Sequence, residues 1–202
     1  LNASGVPYDN SSSGLSSTDV KNALDELDSD IPSVPDVPVQ RISSGSFSGD
    51  SNFEQTGFQT NDGVIEIFLN GVVLDTNQET LQFRVIKDGN SNPDSGSSDY
   101  DFEVGLVDLT GRSQTGTSGR SEILLNFDTT GGDGLSSDSN EVYNVRIWIY
   151  DPMDSSFHTH INYIVSQKSA DGSRHTLWGG GERLAKQSDS GFRIIPTNSA
   201  TF

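Results

Sequence analysis

Two stretches, Gly63-Val-Ile-Glu-Ile-Phe-Leu-Asn70 and Thr80-Leu-Gln-Phe-Arg-Val-Ile-Lys87, carry the reading of the fold. In the first, Ile65, Ile67 and Leu69 alternate with Glu66 and Phe68; in the second, Leu81, Phe83 and Val85 alternate with Gln82 and Arg84. A period of two puts successive side chains on opposite sides of an extended chain, so each stretch reads as a strand with one buried and one wet face. Tyr100, Phe102, Val104 and Leu106 repeat the pattern. Working outward, candidate strands cover residues 39–48, 63–70, 80–87, 99–107, 121–127, 141–150, 157–167, 175–184 and 192–196. Residues 88–98, 110–120 and 129–140 are rich in turn-forming types and read as connections. Eight or nine strands without interleaved helices predict a mainly β, antiparallel, jelly-roll-like sandwich over residues 41–202.

The N-terminal part follows other rules. Residues 1–14 are Ser/Gly/Asn-rich and read as a flexible tether. Residues 15–31 predict a short helix: Ser17 or Thr18 caps it, Asp19 suits the positive end of its dipole, and Val20, Leu24, Leu27 and Ile31 form an apolar seam at coiled-coil spacing. A helix this short is unstable alone in water and needs a partner. Self-association is the expected one, with docking on its own domain as the alternative. Pro32, Pro35 and Pro38 then hold residues 32–40 in a semi-rigid, extended neck.

Composition excludes several classes. A net charge of −17 opposes contact with nucleic acid and with anionic lipid surfaces. Such acidity is expected to keep a protein present in many copies soluble, with adaptation to a saline environment or cation binding as the alternatives. With no cysteine, disulfide scaffolds, thiolate metal sites and cysteine nucleophiles are out. No run approaches the roughly 20 apolar residues that span a bilayer. The sequence starts at Leu1 and not at Met, which leaves room for a folded part upstream.

The segment PYDNSSSGLSSTDVKNALDEL (7–27) resembles one common in phage tail fibres and in neck or head appendages, where it precedes a distal module and helps bundle the chains. Residues 64–89, SSDYDF (97–102), WGGG (178–181) and SGFRII (190–195) resemble, more loosely, a jelly-roll module of phage tail and capsid-associated proteins. That family usually has a further strand after this point, whereas here the sequence stops at Phe202. The resemblance implies a structural or receptor-binding virion component, often a homotrimer, displayed on the virion surface. Its partners would be other virion proteins through the N-terminus and a host-surface glycan or protein.

Four places merit a chemical reading. His158 and His160 share the wet side of their strand, opposite a face of Phe157, Thr159, Ile161, Tyr163 and Val165, and alternate histidines can ligate one metal ion. Phage needle-like fibres hold an ion this way on a three-fold axis; the competing reading is two solvated histidines. The run from Asp88 to Asp99 has oxygen-bearing side chains on alternate residues, like a calcium loop, but Pro93 stands where such loops need Gly, so a plain turn competes. Trp178, heading a glycine run, offers a stacking surface for a sugar, with Arg174, His175 and Arg183 as its expected neighbours in a receptor patch. The alternative is that Trp178 plugs the end of the sandwich while the glycines allow a bulge or tight turn. Trp148 reads as core or subunit interface. No nucleophile elbow and no phosphate-cradling loop is present, so no enzyme is expected, and no obligatory cofactor. The expectation is a host-attachment appendage; a ligand-free capsid decoration is the alternative, and a polysaccharide-degrading enzyme comes last.

Overall fold

The computed structural model describes residues 20–22, 48–60, 62–77, 79–107, 111–126, 134–135, 137–138, 142–168 and 172–202. The chain divides into two compact units, Leu1–Ser44 and Gly45–Phe202. In the first, Val20, Lys21 and Asn22 are helical. Leu24, Leu27 and Ile31, the tether, the proline neck and residues 39–47 of the strand expected at 39–48 lie outside the described residues.

The second unit is an antiparallel β-sandwich. Its strands are β1 (Phe53–Thr56), β2 (Val64–Val72), β3 (Leu81–Lys87), β4 (Tyr100–Val107), β5 (Arg112–Arg120), β6 (Ile123–Leu124), β7 (Tyr143–Tyr150), β8 (His160–Lys168), β9 (Arg174–Arg183) and β10 (Asp189–Pro196). A four-stranded sheet has the order β1-β10-β3-β6, and a six-stranded sheet the order β2-β7-β8-β9-β4-β5. The alternating residues of β2, β3 and β4 turn inward as their period predicts, into one core shared by both sheets. Phe192 centres the smaller sheet's contribution, stacked on Phe83 at 5.7 Å between ring centroids and tilted against Phe53 and Phe58.

Three buried tyrosines of the larger sheet reach across this core. Tyr163 donates to the Leu124 carbonyl at 2.6 Å, Tyr143 to the Leu125 carbonyl at 3.4 Å, and Tyr100 accepts from the Val85 N–H at 3.0 Å while donating to the Asp94 carbonyl. A buried hydroxyl without a partner costs more than a satisfied one gains, so these bonds fix which parts of the two sheets face each other. Burial pushes all three phenols well above their ordinary pKa.

Several elements differ from the sequence reading. Residues 112–120, read as a turn-rich connection, form β5, an edge strand pairing with β4 from Tyr100↔Arg120 to Val107↔Arg112. Its side chains are polar and mostly exposed, so no alternation marks it, and such polarity suits an edge that must not recruit a further strand. The short β1 gives too few residues for a period. The segment expected at 121–127 pairs only over Ile123–Leu124. Strand β8 starts at His160, opposite Tyr150, because a turn from Asp151 (φ 46°) to Phe157 precedes it. Phe157 therefore stands exposed in that turn rather than on the core face, whereas Thr159, Ile161, Tyr163 and Val165 are buried as read. The strand expected at 175–184, by contrast, is present as β9, and Trp178-Gly-Gly-Gly181 lies within it, paired on both sides, so the tight-turn alternative for these glycines does not hold.

Candidate functional site

The outer face of the six-stranded sheet carries exposed apolar side chains in register. Phe68 (β2) lies across from Arg146 (β7), Arg146 from Ile164 (β8), Ile164 from Trp178 (β9), Trp178 from Gly105 (β4) and Gly105 from Gln114 (β5). Phe68, Ile164 and Trp178 are 56%, 50% and 45% exposed. The neighbouring rung runs Glu66, Trp148, Asn162, Gly180, Glu103 and Gly116.

The two halves of this face are built differently. On the β2/β7 side the Arg146 guanidinium pairs with Glu66 and lies over the rings of both Phe68 and Trp148, 4.8 Å from each centroid. Trp148 is thus a half-covered outer-face residue, not core. On the β9/β4 side the sheet has a depression of about 330 Å3, floored by Gly105 and Gly180 and walled by Trp178, Glu103, Gln114 and Asn162. The glycines make it. A Cβ on Gly105 would sit 2.7 Å from Trp178 Cζ2, so the indole rests on bare backbone there. A Cβ on Gly180 would meet Asn162 Oδ1 at 2.5 Å. Gln114 Nε2 donates to Glu103 Oε1, which orients both side chains.

The expected receptor patch is only partly assembled. Trp178 and Arg174 share the outer face of β9, four residues apart in the strand. His175 and Arg183 have the opposite parity and are buried, at 3% and 0% exposure, so neither is available to a ligand on that face. Proximity in sequence does not place strand neighbours on one side.

Arg183 instead has a structural setting. It pairs with Asp94 and, from β9 to β10, with the fully buried Asp189, which also accepts from Thr159 Oγ1 at 2.5 Å. One guanidinium faces two carboxylates, and the more deeply buried of them holds a proton more readily. Burial, outweighing the Thr159 bond and the Arg183 charge, pushes the Asp189 carboxyl up to about 6, and burial likewise lowers the Arg183 pKa. Between pH 4 and 6 the folded protein therefore keeps a proton that the unfolded chain releases. Asp189's contribution to stability is full below pH 4 and falls by about 3 kcal/mol as the pH rises through 6. Urea unfolding of wild type and Asp189→Asn from pH 4 to 7.5 should show that decline only in the wild type; parallel profiles would refute it.

His158 and His160 do come together, on Glu182 of β9. Nδ1 of His158 donates to Glu182 Oε2 at 3.2 Å, and Nδ1 of His160 lies 3.7 Å from the same oxygen. Among the described residues no group of three His, Asp or Glu side chains is placed to hold a metal ion. In the 88–99 loop, Asp94 is taken up by Arg183 and Gln187, and Asp99 accepts from the Gly96 N–H, so two of the three carboxylates expected to cup calcium are engaged with the protein.

The site residues that sequence reasoning missed are Glu103, Gln114 and Asn162. Their one visible signal was Gly105, a wet-face gap in an otherwise well-formed strand pattern. No family model, no curated protein and no solved structure matches the chain.

Proposed function

We propose that this chain is a non-enzymatic surface appendage of a tailed phage, with residues 15–31 joining three copies and the β-domain attaching to the host surface. The observation that carries the attachment role is the outer rung of Phe68, Ile164 and Trp178 beside a glycine-floored depression. Isolated exposed apolar residues are ordinary, whereas aligned ones bordering a hollow with convergent polar groups mark a binding surface. The virion assignment draws on the resemblance of residues 7–27. A further support is topological. With the β8–β9 hairpin set aside, the strands stand as β1-β10-β3-β6 and β2-β7-β4-β5, the order of an eight-stranded jelly roll, an architecture frequent in viral shells and lectins. The hairpin is then an insertion into the larger sheet, and it brings Trp178 and Asn162. Trimerisation would multiply a weak single-site affinity through effective concentration.

Gold-labelled antibody on intact particles, with light scattering on the purified chain, tests this reading. Label on projecting appendages, a trimer in solution and binding of the protein to host cells are expected. Label over the capsid shell without cell binding would make it a decoration protein, and a monomer would remove the trimeric part.

A further inference from the structure

We infer that the Trp178 depression is a carbohydrate subsite for a neutral, hydroxyl-rich pyranose, with the indole as stacking platform and Asn162, Gln114 and Glu103 as hydrogen-bond partners. The inference rests on the attachment reading for its biological setting but not for its chemistry.

The platform is preorganised. Trp178 lies on the bare backbone of Gly105, with Ile164 beside it across the β8–β9 pairing, and still keeps 45% of its surface in solvent. An aromatic that merely covered a glycine gap would need no hollow next to it. Here a hollow continues from the ring edge toward Gly180, where the side chain of Asn162 overlies the backbone. The C–H groups on one face of a pyranose carry slight positive charge and complement the negative face of an indole. About 330 Å3 is at the small end of ligand sites, on the scale of a sugar ring rather than a peptide segment.

The polar walls select for hydroxyls. Gln114 donates one N–H to Glu103 Oε1, which leaves its second N–H, Gln114 Oε1 and Glu103 Oε2 for a ligand, and the Asn162 amide overlies Gly180. Carboxylate and amide oxygens beside amide N–H groups ask for a ligand whose groups both donate and accept, which sugar hydroxyls do. It also rejects carboxylated sugars: Glu103 is in the wall, no Lys or Arg lines the hollow, and the chain carries −17. A site built around hydroxyl contacts discriminates strongly against ligands that leave its polar groups unpaired.

Four strands contribute: Trp178 from β9, Asn162 from β8, Glu103 from β4 and Gln114 from β5. The β8–β9 hairpin thus supplies the platform and β4–β5 most of the acceptors.

The test is calorimetric titration of the full chain with maltohexaose, mannohexaose and galactotetraose as neutral probes and hexagalacturonate as the acidic one. At least one neutral probe should bind and hexagalacturonate should not. Trp178→Ala should weaken binding at least tenfold, and Asn162→Ala, which leaves the platform intact, should weaken it several-fold with unchanged thermal unfolding. Absence of binding by every neutral probe at millimolar concentration would overturn the inference, as would equal binding by Trp178→Ala or preference for the acidic probe. Host-cell binding separates the two readings. If cells take up wild type and Trp178→Ala equally and no neutral probe binds, attachment stands and this subsite falls. If cells take up neither while a neutral probe binds at Trp178, the subsite stands and attachment falls.

Discussion

Arg183→Ala should destabilise the β-domain by about 3–5 kcal/mol, the usual effect of removing one partner from a buried ion pair. The guanidinium is fully buried and joins Asp94 and Asp189 at the junction of β9 with β10, and Thr159 bonds the same Asp189. Without Arg183, two carboxylates face each other with no cation between them. A lowered urea midpoint with an unchanged m-value would register the loss. The double replacement Arg183→Leu with Asp189→Leu should recover much of it, because deleting both charges leaves nothing buried and unpaired. If Arg183→Ala alone unfolds within about 1 kcal/mol of wild type, well under the usual loss for a broken buried pair, the pair is not the fastener described here.

Gly179→Ala should be nearly as damaging, at about 3 kcal/mol, the upper end of the ordinary range for overpacking. Its added Cβ would lie 2.2 Å from the Tyr163 hydroxyl and 2.6 Å from the Glu103 carbonyl oxygen. A flexible side chain could swing away, but the carbonyl is part of the β4–β9 ladder, and Tyr163 is held by its bond to Leu124. The effect should therefore show both as lost stability and as an altered Tyr163 environment in near-ultraviolet circular dichroism. Ser166→Ala, on the wet face of the adjacent strand, is the control and should unfold like wild type.

These two residues also show what could and could not be read from the sequence. Strands with one dry face announce themselves, which is why β2, β3, β4, β7 and β8 were legible from alternating Ile, Val, Leu and Phe. Strand β5, Arg112-Ser-Gln-Thr-Gly-Thr-Ser-Gly-Arg120, has no dry face and exists because β4 offers an edge; nothing local distinguishes it from a loop. The glycines of β9 were ambiguous for a different reason. Glycine serves turns and close approaches alike, and the choice here is made by Tyr163 and by the Glu103 and Asp101 carbonyls, which arrive from strands far away in sequence.

The candidate site divides the same way. Trp178 was visible as an aromatic with a polar setting. Its true companions, Glu103, Gln114 and Asn162, were hidden because strand order, not sequence distance, brings β4, β5 and β8 to β9. The misassigned companions were avoidable. In a strand, 174 and 178 share parity while 175 and 183 take the other, so His175 and Arg183 were bound for the opposite face from Trp178.

The way the first strand of the domain is fastened to its last has a mechanical meaning. Gly49 donates to the Phe202 carbonyl at 2.6 Å, Phe202 donates to the Asp50 carbonyl at 3.0 Å, and β1 then runs antiparallel beside β10, with Phe53 opposite Ile194. Tension applied between residues 49 and 202 would part that ladder one bond after another, as a zipper opens, at low force. Tension that enters at Asp50 and is resisted by the body of the domain pulls β1 along its own axis. The bonds of an antiparallel pair lie across that axis, so they share the strain simultaneously. The same few bonds are weak against peeling and strong against drag.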